Sequence, residues 1–397
     1  MQIPAPGAPR ALLRHCLSGG FRPFFLAGAL HAALMIGLWV PWYLGFLHVP
    51  TALSPLAWHQ HELLYGYVPA IIAGFLLAAV PNWTARRPIS GLPLLCLFAL
   101  WLAGRLAIAG SESIGPATAM IVAGAFLPVL AIAMLRELVL ARNARNYKVA
   151  IVLFLLSATQ WGFYYEFDRF GLIDISNRLA IAAIILLICV IGGRIIPAFT
   201  GNWLRARGPG TLPTPFNHVD MAVMVLTALA LVAWPLAASY PSLQPIPGML
   251  LVAAGIAQLF RQARWTPHRT LAEPLVTILH LAFFFVPLGF GLIGAAALLD
   301  DPGLQSAGIH SWTSGAIGTM TLAVMTRATR GHTGQSLHAP RTTVILIYAP
   351  IVLATLARIA AALYPGEMML LLPLAALLWI VAFLAFALLY GPLLLRK

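Results

Sequence analysis

Two histidines and a glutamate stand at the head of a long apolar run, in WHQHELLYGY (58–67). Imidazole and carboxylate groups are costly at membrane depth, so His59, His61 and Glu62 are candidates for chemistry by default. Successive α-helical positions advance by about 100°. If the helix has begun by His59, then His59 and His61, two apart, face nearly opposite ways and do not both reach one ion; either one ligates while the other meets another helix, or the turn begins between them. Glu62 lies three after His59, on its face, where it could orient that ring or carry a proton as a catalytic group. A later apolar run opens on His310, in GIHSWTSGAIGTM (308–320). His59, His61 and His310 are expected at one depth, on one side of the bilayer. Three imidazoles beside a carboxylate suit copper, zinc or iron. The alternative is an interfacial set bonded to lipid headgroups.

Deeper groups read differently. His280, in LVTILHLAFFF (275–285), is either an axial haem ligand in a cleft between helices or a neutral ring bonded to a neighbouring helix. His31, inside the first apolar run, is a weaker candidate of the same kind. His332, in TRGHTG, is a ligand, a propionate partner or a loop residue. Arg194 (IGGRIIP) and Arg327 (MTRAT) are expected just inside helix ends. Either could pair with an anionic group such as a haem propionate, or snorkel to the headgroups.

The elements that must position these residues follow from composition. The chain has 397 residues, 61% hydrophobic and 9% charged, with a mean hydropathy of +0.89. Soluble domains carry about 25% charged residues, so this is an integral membrane protein. A span needs roughly 20 mostly apolar residues. Twelve candidates emerge, near 23–45, 60–81, 91–110, 116–139, 148–166, 177–198, 218–236, 247–262, 273–298, 309–327, 341–363 and 368–394. The expected fold is an all-α polytopic bundle of about twelve transmembrane helices, forming a single transmembrane domain over 1–397.

Charge placement supports that count. Most arginines and lysines, from Arg10 and Arg14 to Arg396 and Lys397, fall on one side; Arg105, Arg169, Arg178 and Arg358 fall on the other. The excess of positive charge marks the cytoplasmic face and puts both termini there. The net charge of +13 thus reads as orientation and contact with anionic lipid, and nucleic acid is not an expected partner. Spans two, six and ten all end on Arg, which raises three four-helix repeats near 1–145, 146–265 and 266–397; topology alone also places Arg at such ends. Cys16, Cys96 and Cys189 form no CxxC pair, which argues against a thiolate site. No metalloprotease, P-loop or nucleophile-elbow motif is present. Acidic residues inside spans are almost absent, which weighs against a carboxylate-relay transporter.

Several stretches resemble the NnrS family in order along most of the chain: GFRPFFLAGAL (20–30), WHQHELLYGYVPAIIAGFLLAAVPNW (58–83), WLAGRLA (101–107), IGGRIIPAFTGNW (191–203), RWTPHRTLAEPLVTILHL (264–281) and HSWTSGAIGTMTLAVMTRATRGHTG (310–334). The resemblance implies a twelve-span protein of the bacterial inner membrane carrying haem b and copper. It also implies a link to denitrification and nitric oxide stress. By motif position His59, His61 and Glu62 match the family's HxHE, His280 its ILHL, His310 the histidine before GAIG, and His332 its GHTG. Arg22, Arg105, Arg194 and Arg327 also stand in family motifs. The expected activity is removal of nitric oxide by redox chemistry at a histidine-ligated metal, with Glu62 as proton carrier and an unidentified electron donor. A non-catalytic haem, copper or nitric oxide carrier or sensor, and a membrane transporter, are the other readings.

Overall fold

The computed structural model describes residues 8–238 and 244–396, with side chains from Leu12 onward. Lys397 and the Arg10 side chain, both part of the charge pattern, lie outside what is described. The described residues are helical and contain no strand. Each of the twelve expected spans corresponds to a helix. These are α1 (Phe21–Tyr43), α2 (Pro55–Thr84), α3 (Leu92–Ala109), α4 (Pro116–Leu140), α5 (Tyr147–Phe170), α6 (Ile175–Arg205), α7 (His218–Ala237), α8 (Pro245–Ala263), α9 (Pro274–Leu299), α10 (302–332), α11 (Arg341–Leu363) and α12 (Met368–Leu395). Among the described residues ten of these are long and apolar enough to cross a membrane. The other two, α5 and α10, are as long but more polar, with Gln160, Glu166 and Asp168 in α5 and four serines and threonines between Ser311 and Thr319 in α10. The protein is a multi-pass membrane protein.

Helix ends follow local chemistry. Ser54 caps α2 ahead of Pro55, Asp301 caps α10 ahead of Pro302, and Glu273 caps α9 ahead of Pro274. Proline fits the first turn, where its missing N–H is no loss. Three of the described helices leave α geometry in mid-course. The turn widens to a π-helix over Glu62–Tyr67 in α2, over Ser311–Thr319 in α10 and over Val344–Tyr348 in α11. The first two begin directly after a histidine, His61 and His310; the third follows Thr343. Such widened turns are rare and recur at functional positions.

The chain divides into two compact units. The first comprises residues 1–169, 325–336 and 383–397; the second comprises 170–324 and 337–382. In the first, α1 packs along α2 through Gly28, Gly66 and Gly74, and α3 meets α4 where Gly104 faces the Ala123 backbone. The Arg22 guanidinium donates to Leu394 O (2.9 Å) at the end of α12, where unpaired carbonyls favour a cation. In the second unit α8 and α9 approach most closely. A Cβ on Gly294 would lie 2.7 Å from Val252 Cγ2 and 2.8 Å from Gly248 O. Small residues matter here because lipid offers no hydrophobic drive between helices, so packing must supply the attraction. Large apolar side chains such as Leu106, Ile121, Ile151, Leu229 and Leu388 stay exposed on the outer faces, as a lipid-facing surface requires.

Among the described residues four carboxylates are buried: Glu62, Glu137, Asp220 and Glu273. Each lies within about two turns of a helix end, so none stands at mid-span. Each is offset by a partner. Glu137 holds Arg86 (2.6 Å) and Arg136 (2.9 Å). Asp220 sits between Arg261 (3.1 Å) and Arg264 (3.0 Å) and completes the capping box of Asn217. Glu273 accepts from His338 Nδ1 (2.6 Å) and Ala339 N (3.0 Å).

Substituting Ala for Gly294 is expected to force α8 and α9 apart and lower stability by about 1–3 kcal/mol. Thermal unfolding in mild detergent measures this; an unchanged midpoint would show that the contact tolerates a methyl group.

Candidate functional site

The π-turn of α2 carries Glu62 into the interior of the first unit, where it is 2% exposed. Its Oε1 accepts from Arg105 Nη1 of α3 (2.7 Å) and from His61 Nδ1 (2.9 Å). Its Oε2 lies 2.9 Å from His31 Nε2 of α1. His61, fully buried, bonds through Nε2 to Tyr164 Oη of α5 (2.8 Å). Gln160, one turn earlier on α5, donates to the same oxygen (2.7 Å). Four helices thus converge on one carboxylate. Gly66 makes the closure feasible: a Cβ there would fall 2.6 Å from Arg105 Nη1 and 2.8 Å from His31 Nε2. Trp101 of α3 braces the floor, donating Nε1–H to Gly66 O (2.9 Å) with its edge against His31. The rings of Tyr65, Phe163 and Tyr164 enclose His61.

The electrostatics are those of a paired charge in a medium with little water. An isolated carboxylate would be heavily penalised, whereas one with a guanidinium and two imidazole donors is held by short, charge-assisted bonds. Glu62 therefore fixes the orientation of both rings. A carboxylate behind a histidine Nδ1 leaves Nε2 as a strong donor atom, the arrangement that supports histidine as a metal ligand.

The other predicted residues are dispersed. His59 stacks on Trp39 of α1 (3.9 Å between centroids), away from the aromatic enclosure of His61. The two rings diverge as their spacing requires. His332 stacks on Phe21 in the same unit (4.9 Å). His280 and His310 belong to the second unit. His280 Nε2 meets the Thr200 hydroxyl (2.8 Å), and its buried Nδ1 has no hydrogen-bond partner. His310 Nδ1 donates to Ser306 O (2.7 Å). Gly308 faces Ile293, and Gly315 faces Phe285, so His310 is level with the middle of α9. His280 lies about 15 Å away along the axis at 1.5 Å per residue. Arg194 lies well inside α6 rather than near its end, because that helix runs on to Arg205. Arg327 is half-buried in α10.

Haem b and copper, which the family resemblance implies, can be tested against these donors. The Glu62-backed imidazole of His61 and the unpartnered Nδ1 of His280 have the donor chemistry for a transition metal or haem iron. Among the described residues, no group of three or more His, Cys, Asp or Glu side chains is arranged to hold a metal ion. In the Glu62 cluster the groups bond one another rather than facing a common point.

From sequence, His31 carries little weight, Arg105 counts only as a non-cytoplasmic charge near the end of the third span and a member of a family motif, and Tyr164 and Gln160 are passed over. Arg105 is in fact 6% exposed within α3. Two signals were available: a lone charge in an apolar run must have a buried partner, and Gln160 and Tyr164 are four apart on one face of α5.

A multi-pass helical membrane protein with a buried charged cluster where four of its spans meet is the class that fold and site define. The NnrS family model, described as NnrS protein, matches residues 15–397, and the chain belongs to that family. Membership links it to nitric oxide. Among curated proteins none matches the chain.

Arg105→Leu leaves the Glu62 charge short of its strongest partner and is expected to cost about 3–5 kcal/mol. Adding Glu62→Leu should restore much of that loss. Unfolding of the single and double variants in detergent checks the coupling; additive losses would show that the pair is not energetically linked.

Proposed function

We propose that the chain binds nitric oxide within the bacterial inner membrane and removes it by redox chemistry at histidine-held haem b and copper. The observation that carries this reading is the Glu62 cluster. A carboxylate, two imidazoles and a guanidinium buried together in a membrane bundle are retained for function far more often than for stability. Family membership supports nitric oxide as the substrate.

His61, backed by Glu62, and His280, with its unpartnered Nδ1, are the residues that would each hold a transition metal or haem iron. Bound iron or copper would supply a site for nitric oxide and a route for an electron. The chain's own residues do the rest. Arg105 pairs with Glu62. Glu62 orients His61 and His31 through one oxygen each. The aromatic wall of Tyr65, Phe163 and Tyr164 keeps water from His61. Glu62, accepting from three donors, serves the proton inventory of the site through the rings it holds. Nitric oxide is small and apolar, so it reaches the interior from the lipid without a polar channel. Electrons must come from a separate donor.

Protein purified in detergent, with an absorption spectrum and metal analysis, tests the cofactors. A Soret band that sharpens on reduction and copper near one per chain support the reading; absence of both would end it. His61→Ala and His280→Ala are each expected to lose bound metal or haem. Anaerobic nitric oxide consumption with a reductant tests turnover. Sustained consumption, reduced about a hundredfold or more in Glu62→Gln, supports the enzyme; uptake that stops at one equivalent identifies a carrier or sensor instead.

A further inference from the structure

At the cytoplasmic end of α2 the chain turns sharply. Ala85 ends the helix in a left-handed backbone conformation (φ 54°), one that crowds a Cβ. The turn brings Arg86 to α4, where its Nε donates to Glu137 Oε2 (2.6 Å), while Arg136 Nη1 donates to Oε1 (2.9 Å). The carboxylate is buried, but the two arginine side chains are 38% and 67% exposed. Each uses one of its five N–H donors on Glu137 and keeps the others. Asn143 Nδ2 donates to Trp83 O (2.7 Å), which ties the end of α4 to the end of α2. Arg87, next in the chain, is exposed and makes no hydrogen bond or ion pair with any described residue. A cleft runs between these elements. Leu77 and Val80 of α2, Ile89 of the turn and Met134 of α4 form its apolar wall, and Arg87 and Glu137 also line it. From Leu77 to Thr84 the helix rises about 10 Å, so the wall reaches from headgroup level into the acyl region.

We propose that this cleft binds an anionic phospholipid of the cytoplasmic leaflet, its phosphate on Arg86, Arg87 and Arg136 and an acyl chain against the apolar wall. Three guanidiniums against one carboxylate leave an excess of two positive charges at headgroup level. Guanidinium N–H groups match phosphate oxygens in pairs, and the cytoplasmic leaflet is where anionic lipid meets such basic groups. Topology alone places arginine at a cytoplasmic helix end. It does not require a buried carboxylate that holds two of them together beside an apolar cleft. Side chains already held in place lose less freedom when a ligand arrives. A free anion would use only the charged half of the cleft. A zwitterionic lipid brings its own cation, which the excess positive charge repels. Bound lipid would bridge α2 and α4, the first of which carries Glu62.

Native mass spectrometry of the full chain in mild detergent tests this, with titration by phosphatidylglycerol or by phosphatidylcholine of the same acyl chains. A saturable first phosphatidylglycerol is expected, with phosphatidylcholine binding more weakly. Arg87→Gln and Arg136→Gln should each weaken it about fivefold, the effect of one basic side chain at an anionic surface. Arg207→Gln removes an equal charge from the cytoplasmic side, at a guanidinium stacked 3.8 Å over Trp203, and should leave binding unchanged. Ile89→Trp fills the cleft without a change of charge and should weaken binding as well. Equal binding of the two lipids, or equal losses in Arg87→Gln and Arg207→Gln, would show attraction by the whole basic face and overturn the site. Displacement by an equal concentration of inorganic phosphate, or undiminished binding in Ile89→Trp, would show a site for a phosphate group alone and overturn the lipid. No readout involves haem, copper or nitric oxide, so the result is separate from the proposed function.

Discussion

A carboxylate placed inside a lipid-embedded bundle must be neutralised by the protein itself. Around Glu62 that requirement recruits Arg105 from α3, His31 from α1 and the adjacent His61. Each partner has to arrive within hydrogen-bond distance, and Gly66 has to be without a side chain for them to fit. The packing of α1, α2 and α3 is thus tied to one charge. Such a pair adds little net stability over an apolar core, since desolvation offsets most of the attraction. What it adds is intolerance of alternatives: a helix rotated by one position would leave a bare charge in hydrocarbon.

The second unit uses the same device for a different end. Asp220 is shared by Arg261 and Arg264, and Arg261 also donates to Cys189 O (3.2 Å). A Cβ on Gly193 would run into the Arg261 guanidinium. Here the anion is saturated by two arginines and by its own helix cap, and no imidazole joins it. The contrast separates a buried ion pair that pins helices from one that also sets the protonation of neighbouring rings. In the first unit the carboxylate reaches Tyr164 through His61, so an electrostatic constraint at α2 is felt on α5.

Hydropathy and charge bias made the helices legible, and all twelve expected spans have a counterpart within a few residues, except where α6 and α10 extend further at the ends. His61 and Glu62 were legible as a site because polar groups beside an apolar run have few other reasons to exist. Their partners were not. Arg105 reads as a topological charge when only its distance from a span end is considered, and burial cannot be seen in one dimension. Tyr164 resembles the many interfacial tyrosines of the chain until a structure places His61 against it. The role of Glu62 also shifted: spacing suggested His59, three residues back, yet His59 lies against Trp39 and the carboxylate serves His61 and His31. Local periodicity gives the face of a helix, and only tertiary packing gives what that face meets.

The widened turn at Glu62–Tyr67 has one further implication. A π-turn accommodates one extra residue for each loop it closes, so everything beyond it is offset in phase from the helix before it. Deleting a single residue there would let α2 relax to an ordinary α-helix and swing either the His61 side or the Ala70–Leu77 side by about 100° toward lipid. Elsewhere in α2 a conservative side-chain change alters one contact. In this segment, chain length itself is under constraint, and the same holds for Ser311–Thr319 in α10.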